Sequence, residues 1–377
     1  MENENSIIND KNPEENKTEF ILSNNIIMDI ISFYNYEKKY EGISNENHNQ
    51  KKIRNNHFYI ICGLMNGFIE IYNIKRDKLE LSISFQAHRD IISKIIQLKQ
   101  SGFLLTSSYD NSVKIFELTN NCTKEKLNYI IYLNDIFTRI NEVIEITFNN
   151  NLILSVNNYM INFPLNKNKL LDNKNKLSDY NYSKYEHQRK YLNNLLEINN
   201  DDIACLDSKE SQLLIFKIIY NKEIADDITL IKIIDLEKNN EIKNYESKIS
   251  IECLRPKYNC ILVSDKFFIK IIDIKYLEIV SIFQIKNTSK YMNQCVTFYH
   301  KLMDKIFIFD SIAIYKYKIN SENIFEFIKE EEKNANINNI INLNELQKLI
   351  YCPINKNKIY AIYKKFLTTI DLNKFFQ

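Results

Sequence analysis

Gln86–Leu118 reads QAHRDIISKIIQLKQSGFLLTSSYDNSVKIFEL, and this stretch decides the fold. Ile91, Ile92, Ile95 and Leu98 form one apolar run, Leu104–Ser108 a second and Val113–Leu118 a third. Ser101-Gly102 and Asp110-Asn111 separate them. Short runs of β-branched and aromatic residues bounded by Gly, Asp, Asn and Ser are strands joined by turns.

Working outward, the preceding segment Cys62–Ile74 (CGLMNGFIEIYNI) lies over Thr106–Leu118 (TSSYDNSVKIFEL) without a gap. Asn66 falls on Asp110, Gly67 on Asn111, Ile69 on Val113, Ile71 on Ile115 and Tyr72 on Phe116. The offset of about 44 residues is the length of a four-stranded propeller blade. A strand ending of the same type recurs at Tyr72-Asn73-Ile74, Phe116-Glu117-Leu118, Phe163-Pro164-Leu165 and Phe216-Lys217-Ile218. It appears again at Ile272-Asp273-Ile274, Tyr315-Lys316-Tyr317 and Ile370-Asp371-Leu372, which makes seven. Closed rings of this kind hide the strand edges that would otherwise template aggregation. The last copy ends too near the C-terminus for a fourth strand, so Glu19–Ser23 (EFILS) is expected to supply it and close the ring.

Gln86–Leu118 resembles the WD40 repeat in residue types and order. Ala87-His88 stands where the family has Gly-His, Asp110 at the turn aspartate, and Phe116-Glu117 where the family has Trp-Asp. The resemblance implies an all-β, seven-bladed WD40-type propeller of four-stranded antiparallel blades. It also implies a structural network of His88, Asp110 and either Thr106 or Ser108, against Phe116. Phe116 lacks the indole N–H, so the network is one donor short. A buried His–Thr/Ser–Asp chain satisfies its own polar groups and pins a loop to a strand.

Composition narrows the function. The chain has 377 residues, 45% apolar and 26% charged, so a large core is within reach. Trp is absent, and Gly and Pro number 4 each. The net charge of +2 gives no global attraction to nucleic acid or membranes. Gly42, Gly63, Gly67 and Gly102 form no phosphate-binding loop. The arginines are single, without the paired arginines of lipid-binding propellers. The seven cysteines are scattered, mostly in apolar runs, and read as reduced buried thiols without metal spacing. His48, His57, His187 and His300 are isolated in sequence. No cofactor or metal is expected. No apolar run approaches the ~18–20 residues of a membrane span, and no secretory leader opens the chain, so the expected compartment is cytoplasmic or nuclear.

Residues 1–17 read as a polar, disordered tail and residues 18–377 as one propeller domain. Within it, residues 166–190 (NKNKLLDNKNKLSDYNYSKYEHQRK) read as a basic loop insertion interleaved with Tyr180, Tyr182 and Tyr185. Residues 36–54 and 329–339 read as solvated loops, and residues 337–350 carry the clearest helix-like spacing. No nucleophile stands at a defined spacing from a base, so an enzyme is not expected. The leading expectation is a non-catalytic scaffold or adaptor that binds other proteins in a larger assembly. The resemblance places its docking face at Met65, Asn66, Arg89, Tyr109 and Asn111. The alternative is an RNA-associated propeller using residues 166–190.

Overall fold

The structure is a computed structural model. It describes residues 18–21, 25–35, 57–75, 78–99, 101–119, 122, 124–133, 139–147, 151–157, 159–165, 175–176, 183–186, 192–199, 201–207, 210–219, 227–236, 250–254, 258–264, 268–284, 296–309, 313–320, 326–334, 346, 348–352 and 355–376. The expected tail and the loop at residues 36–54 lie outside the described residues, as do His48 and His187.

The protein is a seven-bladed, all-β propeller of antiparallel four-stranded blades. After β1 (Thr18–Ile21), blade 1 comprises β2 (Ile27–Asn35), β3 (His57–Leu64), β4 (Phe68–Lys75) and β5 (Lys78–Gln86). Blade 2 comprises β6 (Ile92–Gln97), β7 (Leu104–Ser108), β8 (Ser112–Thr119) and β9 (Lys124–Tyr132). Blade 3 is formed by β10 (Ile140–Ile146), β11 (Asn151–Val156) and β12 (Tyr159–Pro164). Then come β13 (Asn175–Lys176), which joins blade 2, and β14 (Ser183–Glu186), which completes blade 3. Blade 4 has β15 (Leu192–Glu197), β16 (Asp202–Asp207), β17 (Gln212–Ile219) and β18 (Asp227–Asp235). Blade 5 has β19 (Ser250–Cys253), β20 (Cys260–Ser264), β21 (Phe268–Asp273) and β22 (Glu278–Gln284). Blade 6 has β23 (Val296–His300), β24 (Lys305–Phe309), β25 (Ala313–Ile319) and β26 (Phe327–Asn334). Blade 7 has β27 (Lys348–Tyr351), β28 (Lys358–Ile362) and β29 (Phe366–Asp371).

The seven strand endings noted above all fall on or at the end of the third strands, β4, β8, β12, β17, β21, β25 and β29. The chain divides into two compact units, one holding blades 1–5 and the other β1 with blades 6 and 7.

In the first unit the core lies between successive blades. Phe33, Tyr59, Ile61 and Ile71 of blade 1 meet Ile92, Ile95, Leu104 and Phe116 of blade 2. The opposite side of blade 2, Leu105, Val113 and Ile115, meets Val143, Leu152, Leu154 and Phe163 of blade 3. This explains the sequence pattern: β7 is sandwiched on both faces and buries every residue, whereas outer β22 alternates. Phe116 is buried and sets its ring edge-on to Phe85, with centroids 5.3 Å apart. Fully burying such a side chain is worth about 1.5–3 kcal/mol. In the second unit, Phe298, Phe307 and Phe309 pack on Ile359, Ala361 and Tyr363. There β1 pairs antiparallel with β29, Thr18 opposite Thr369 and Phe20 opposite Leu367.

Bulges repeat at one level of the blades. The register of the third strand with its outer neighbour shifts at Ile71/Tyr72, Ile115/Phe116, Ile215/Phe216, Ile271/Ile272 and Lys316/Tyr317. In blade 6 the matching residue is therefore Tyr317, two positions beyond the match suggested by sequence. Bulges bend and blunt an exposed edge.

Three segments differ from the sequence reading. Residues 166–190 are not wholly a loop: β14 is the fourth strand of blade 3, and β13 adds to β9 in parallel. Composition hid β14 because an outer strand buries only one side of its residues; Tyr185 packs edge-on to Phe216, with centroids 5.4 Å apart. Within residues 329–339, β26 places Glu330 against Lys305 and Glu331 against Lys316, so cross-strand ion pairs accommodate its charges. Where helix-like spacing reached residue 350, Lys348–Tyr351 is strand β27.

Candidate functional site

The junction of blades 1 and 2 gathers the residues singled out by sequence. Its geometry begins with Gly67, in the turn after β3. Gly67 has φ +81°, and its carbonyl accepts hydrogen bonds from the backbone N–H groups of Ala87 and His88, both at 3.0 Å. A Cβ at Gly67 would lie 2.3 Å from the His88 carbonyl oxygen, so only glycine lets the two blades approach this closely. Gly63 serves the same contact: a Cβ there would lie 2.6 Å from Ile92 Cγ2.

His88, held by this turn, is wholly buried. Its Nδ1 lies 3.0 Å from Asp110 Oδ2, and its Nε2 lies 2.8 Å from Thr106 Oγ1. Burial lowers the His88 pKa and outweighs the pull of Asp110, so the imidazole is neutral at pH 7. The carboxylate accepts from Nδ1–H, which leaves Nε2 to accept the Thr106 hydroxyl proton. Asp110 also accepts from the backbone N–H of Arg89 at 3.0 Å, the backbone N–H of Ser112 at 3.1 Å and the Ser112 hydroxyl at 2.6 Å. Burial alone would raise the Asp110 pKa; the donors from His88, Ser112 and Arg89 hold it well below the usual carboxylate range.

Ser108 does not join His88. Its hydroxyl donates to the Asp90 carbonyl at 3.1 Å and accepts from the Asp110 backbone N–H at 3.0 Å, fixing the turn. Ser112, which sequence reasoning missed, completes the network; the Asp-x-Ser spacing across the turn was its signal. Thr106, His88 and Asp110 are ordered like a hydrolase triad. Thr106 has no solvent exposure, however, so no substrate carbonyl reaches its Oγ1 while the sheet is intact.

Above this network, Met65 and Asn66 are exposed in the blade 1 turn, and Arg89 is exposed in the blade 2 loop. Tyr109 is half-buried, its ring beneath the guanidinium of Arg139 at 5.2 Å. The two turns are built alike: Met65 N–H donates to the Ile26 carbonyl at 2.9 Å and Tyr109 N–H to the Ile91 carbonyl at 3.0 Å. Asn111 takes the left-handed φ of +62° where blade 1 has Gly67, and its carbonyl accepts from the Leu133 N–H at 2.9 Å.

The innermost strands hold a second cluster that the sequence reading passed over. Asp29, Lys94 and Glu142 each directly follow a bulge on β2, β6 and β10. Lys94 Nζ bonds Glu142 Oε1, and Asp29 accepts the Ile95 backbone N–H at 3.0 Å. Burial would lower the Lys94 pKa, but Asp29 and Glu142 more than offset it and keep the ammonium charged. A related clasp recurs one strand-end away. Glu145 accepts the Lys99 N–H at 2.6 Å, and Glu197 accepts the Thr147 N–H at 2.7 Å. In retrospect Ile-Met-Asp, Ile-Ser-Lys and Ile-Asn-Glu mark the first of these positions.

His300 is buried among Phe298, Phe307 and Tyr351, and burial lowers its pKa. Cys122 and Cys260 are pushed up to about 12 by burial, as expected of inert thiols. Among the described residues no group of three His, Cys, Asp or Glu side chains could hold a metal ion. No helix among them is long and apolar enough to cross a membrane.

No protein-family model matches the chain, and no curated protein matches it in sequence.

Proposed function

We propose that the chain is a degenerate WD-repeat propeller, with β1 as its closing strand, and acts as a non-catalytic scaffold for other proteins. The docking face in this reading is the loop–turn surface of blades 1 and 2, with Met65, Asn66, Arg89, Tyr109 and Asn111. One observation carries it: exposed Met65 and Arg89, with Tyr109, stand on turns fixed from below by the buried His88–Thr106–Asp110–Ser112 network. A rigid platform lowers the entropy cost of docking, and Tyr and Arg are frequent binding hot spots. RNA binding through residues 166–190 has less support. Lys184 lies over the Tyr159 ring at 3.7 Å and Tyr185 packs on Phe216, so both are already engaged within the fold.

The test is affinity purification of the tagged chain, with mass spectrometry, beside the variant Arg89→Glu/Tyr109→Ala. The variant is expected to retain its circular dichroism and lose the stable co-purifying proteins. A folded variant that captures the same proteins in the same amounts would refute the face. Co-purifying RNA released by salt and by deletion of residues 166–174 would favour the alternative.

A further inference from the structure

Charges on this face are divided unevenly. Asp110 is turned onto backbone donors, the N–H groups of Arg89 and Ser112, while exposed Asp90 accepts the Ile91 N–H at 2.7 Å through Oδ1. The cations are not used in that way. Arg89 and Arg139 are exposed, and neither side chain forms an ion pair among the described residues. Lys114, beneath them, donates to the Ala87 carbonyl. Its pKa is lowered by burial and further by the nearby Arg89, while Asp110 opposes the shift. The Arg139 guanidinium lies over the Tyr109 ring, which steadies it and leaves its N–H edge for an outside acceptor. The neighbouring turn adds an apolar contact, since Met65 is 46% exposed.

We infer that this face recognises an acidic, extended segment of a partner protein, whose carboxylates pair with Arg89 and Arg139 beside an apolar side chain seated on Met65. The inference rests on the docking face proposed above and adds the chemistry of what docks there. Planar guanidinium groups suit carboxylates because two parallel N–H donors match two oxygens. Single-stranded nucleic acid fits less well, because Arg139 already covers one face of the Tyr109 ring on which a base would stack. The net charge of +2 means that the attraction is local to this face.

A random-heptapeptide display library panned on the immobilised full chain, and on Arg89→Glu/Arg139→Glu, tests this. The wild type is expected to enrich Asp and Glu together with an aliphatic residue, and the double variant to lose that enrichment. The best peptide, made with a fluorescent label, is then titrated beside its Glu-to-Gln form, a phosphoserine form and a ten-nucleotide uridine RNA. Charge reversal should weaken the acidic peptide roughly 30-fold or more, as should the Gln form, with binding falling as salt rises. Recovery of neutral or basic peptides, of no peptides, or of the same peptides by both proteins would overturn the inference. So would tighter, Arg89/Arg139-dependent binding of the phosphoserine peptide or the RNA. Should Arg89→Glu/Tyr109→Ala still abolish protein capture in those cases, the docking face stands and only its acidic specificity falls.

Discussion

Replacing His88 by Ala and Thr106 by Val, singly and together, tests whether the buried network is wired as its distances indicate. His88→Ala removes the bond from Nδ1–H to a charged acceptor and the bond between Nε2 and Thr106. These are worth about 1.5–3 and about 1 kcal/mol, so a loss of about 3 kcal/mol is expected, with the vacated space adding to it. Asp110 keeps its donors from Arg89 and Ser112, which limits the damage. Thr106→Val leaves the Nε2 lone pair buried without a donor and should cost about 1–2 kcal/mol. The double variant should be less unstable than the sum by about 1 kcal/mol, because the introduced valine then faces no stranded acceptor. Urea unfolding followed by tyrosine fluorescence is suitable, since the chain has 24 Tyr and no Trp. At an m value near 3 kcal/mol/M, His88→Ala should move the midpoint by about 1 M. Additivity within about 0.3 kcal/mol would refute the Thr106–His88 bond and leave the Thr106 hydroxyl on the Lys114 carbonyl at 3.4 Å.

Two further outcomes follow from the same junction. Above pH ~6.5, His88 is neutral in both the folded and unfolded chains; below it, only the unfolded chain readily takes up the proton, so stability falls with pH. Wild type should therefore lose more stability than His88→Ala between pH 7 and pH 5.5; parallel profiles would show that His88 is not held neutral, since His300 is common to both. Gly67→Ala meets a backbone oxygen at 2.3 Å, whereas Gly102→Ala, at φ +74°, meets nothing within 4 Å. Gly102→Ala should cost about 1–2 kcal/mol for its left-handed backbone and Gly67→Ala at least twice that; equal losses on thermal unfolding would refute the close approach of blades 1 and 2.

The sequence by itself determined most of the strands and the repeat, and the family resemblance pointed to His88 and Asp110 with either Thr106 or Ser108; the structure places Thr106, not Ser108, on His88. The strands and the repeat follow from local rules: two-residue periodicity, turn residues at fixed offsets, and a blade copied closely enough to align with its neighbour. The limit of that logic shows at Tyr315–Tyr317, where the repeat aligned two residues away from the bulge, and at β14, hidden in basic composition. Only tertiary structure decided that Arg139 covers Tyr109 and that Lys94 lies against Glu142. In each case the partners belong to separate turns or strands, and their meeting depends on bulges and blade packing that no local pattern encodes. For the same reason the proposed docking surface could be named from the family resemblance, while the place of Arg139 beside it could not. Arg139 reaches it from just before β10, and Asp110 is turned inward onto the backbone N–H groups of Arg89 and Ser112, which no local pattern records.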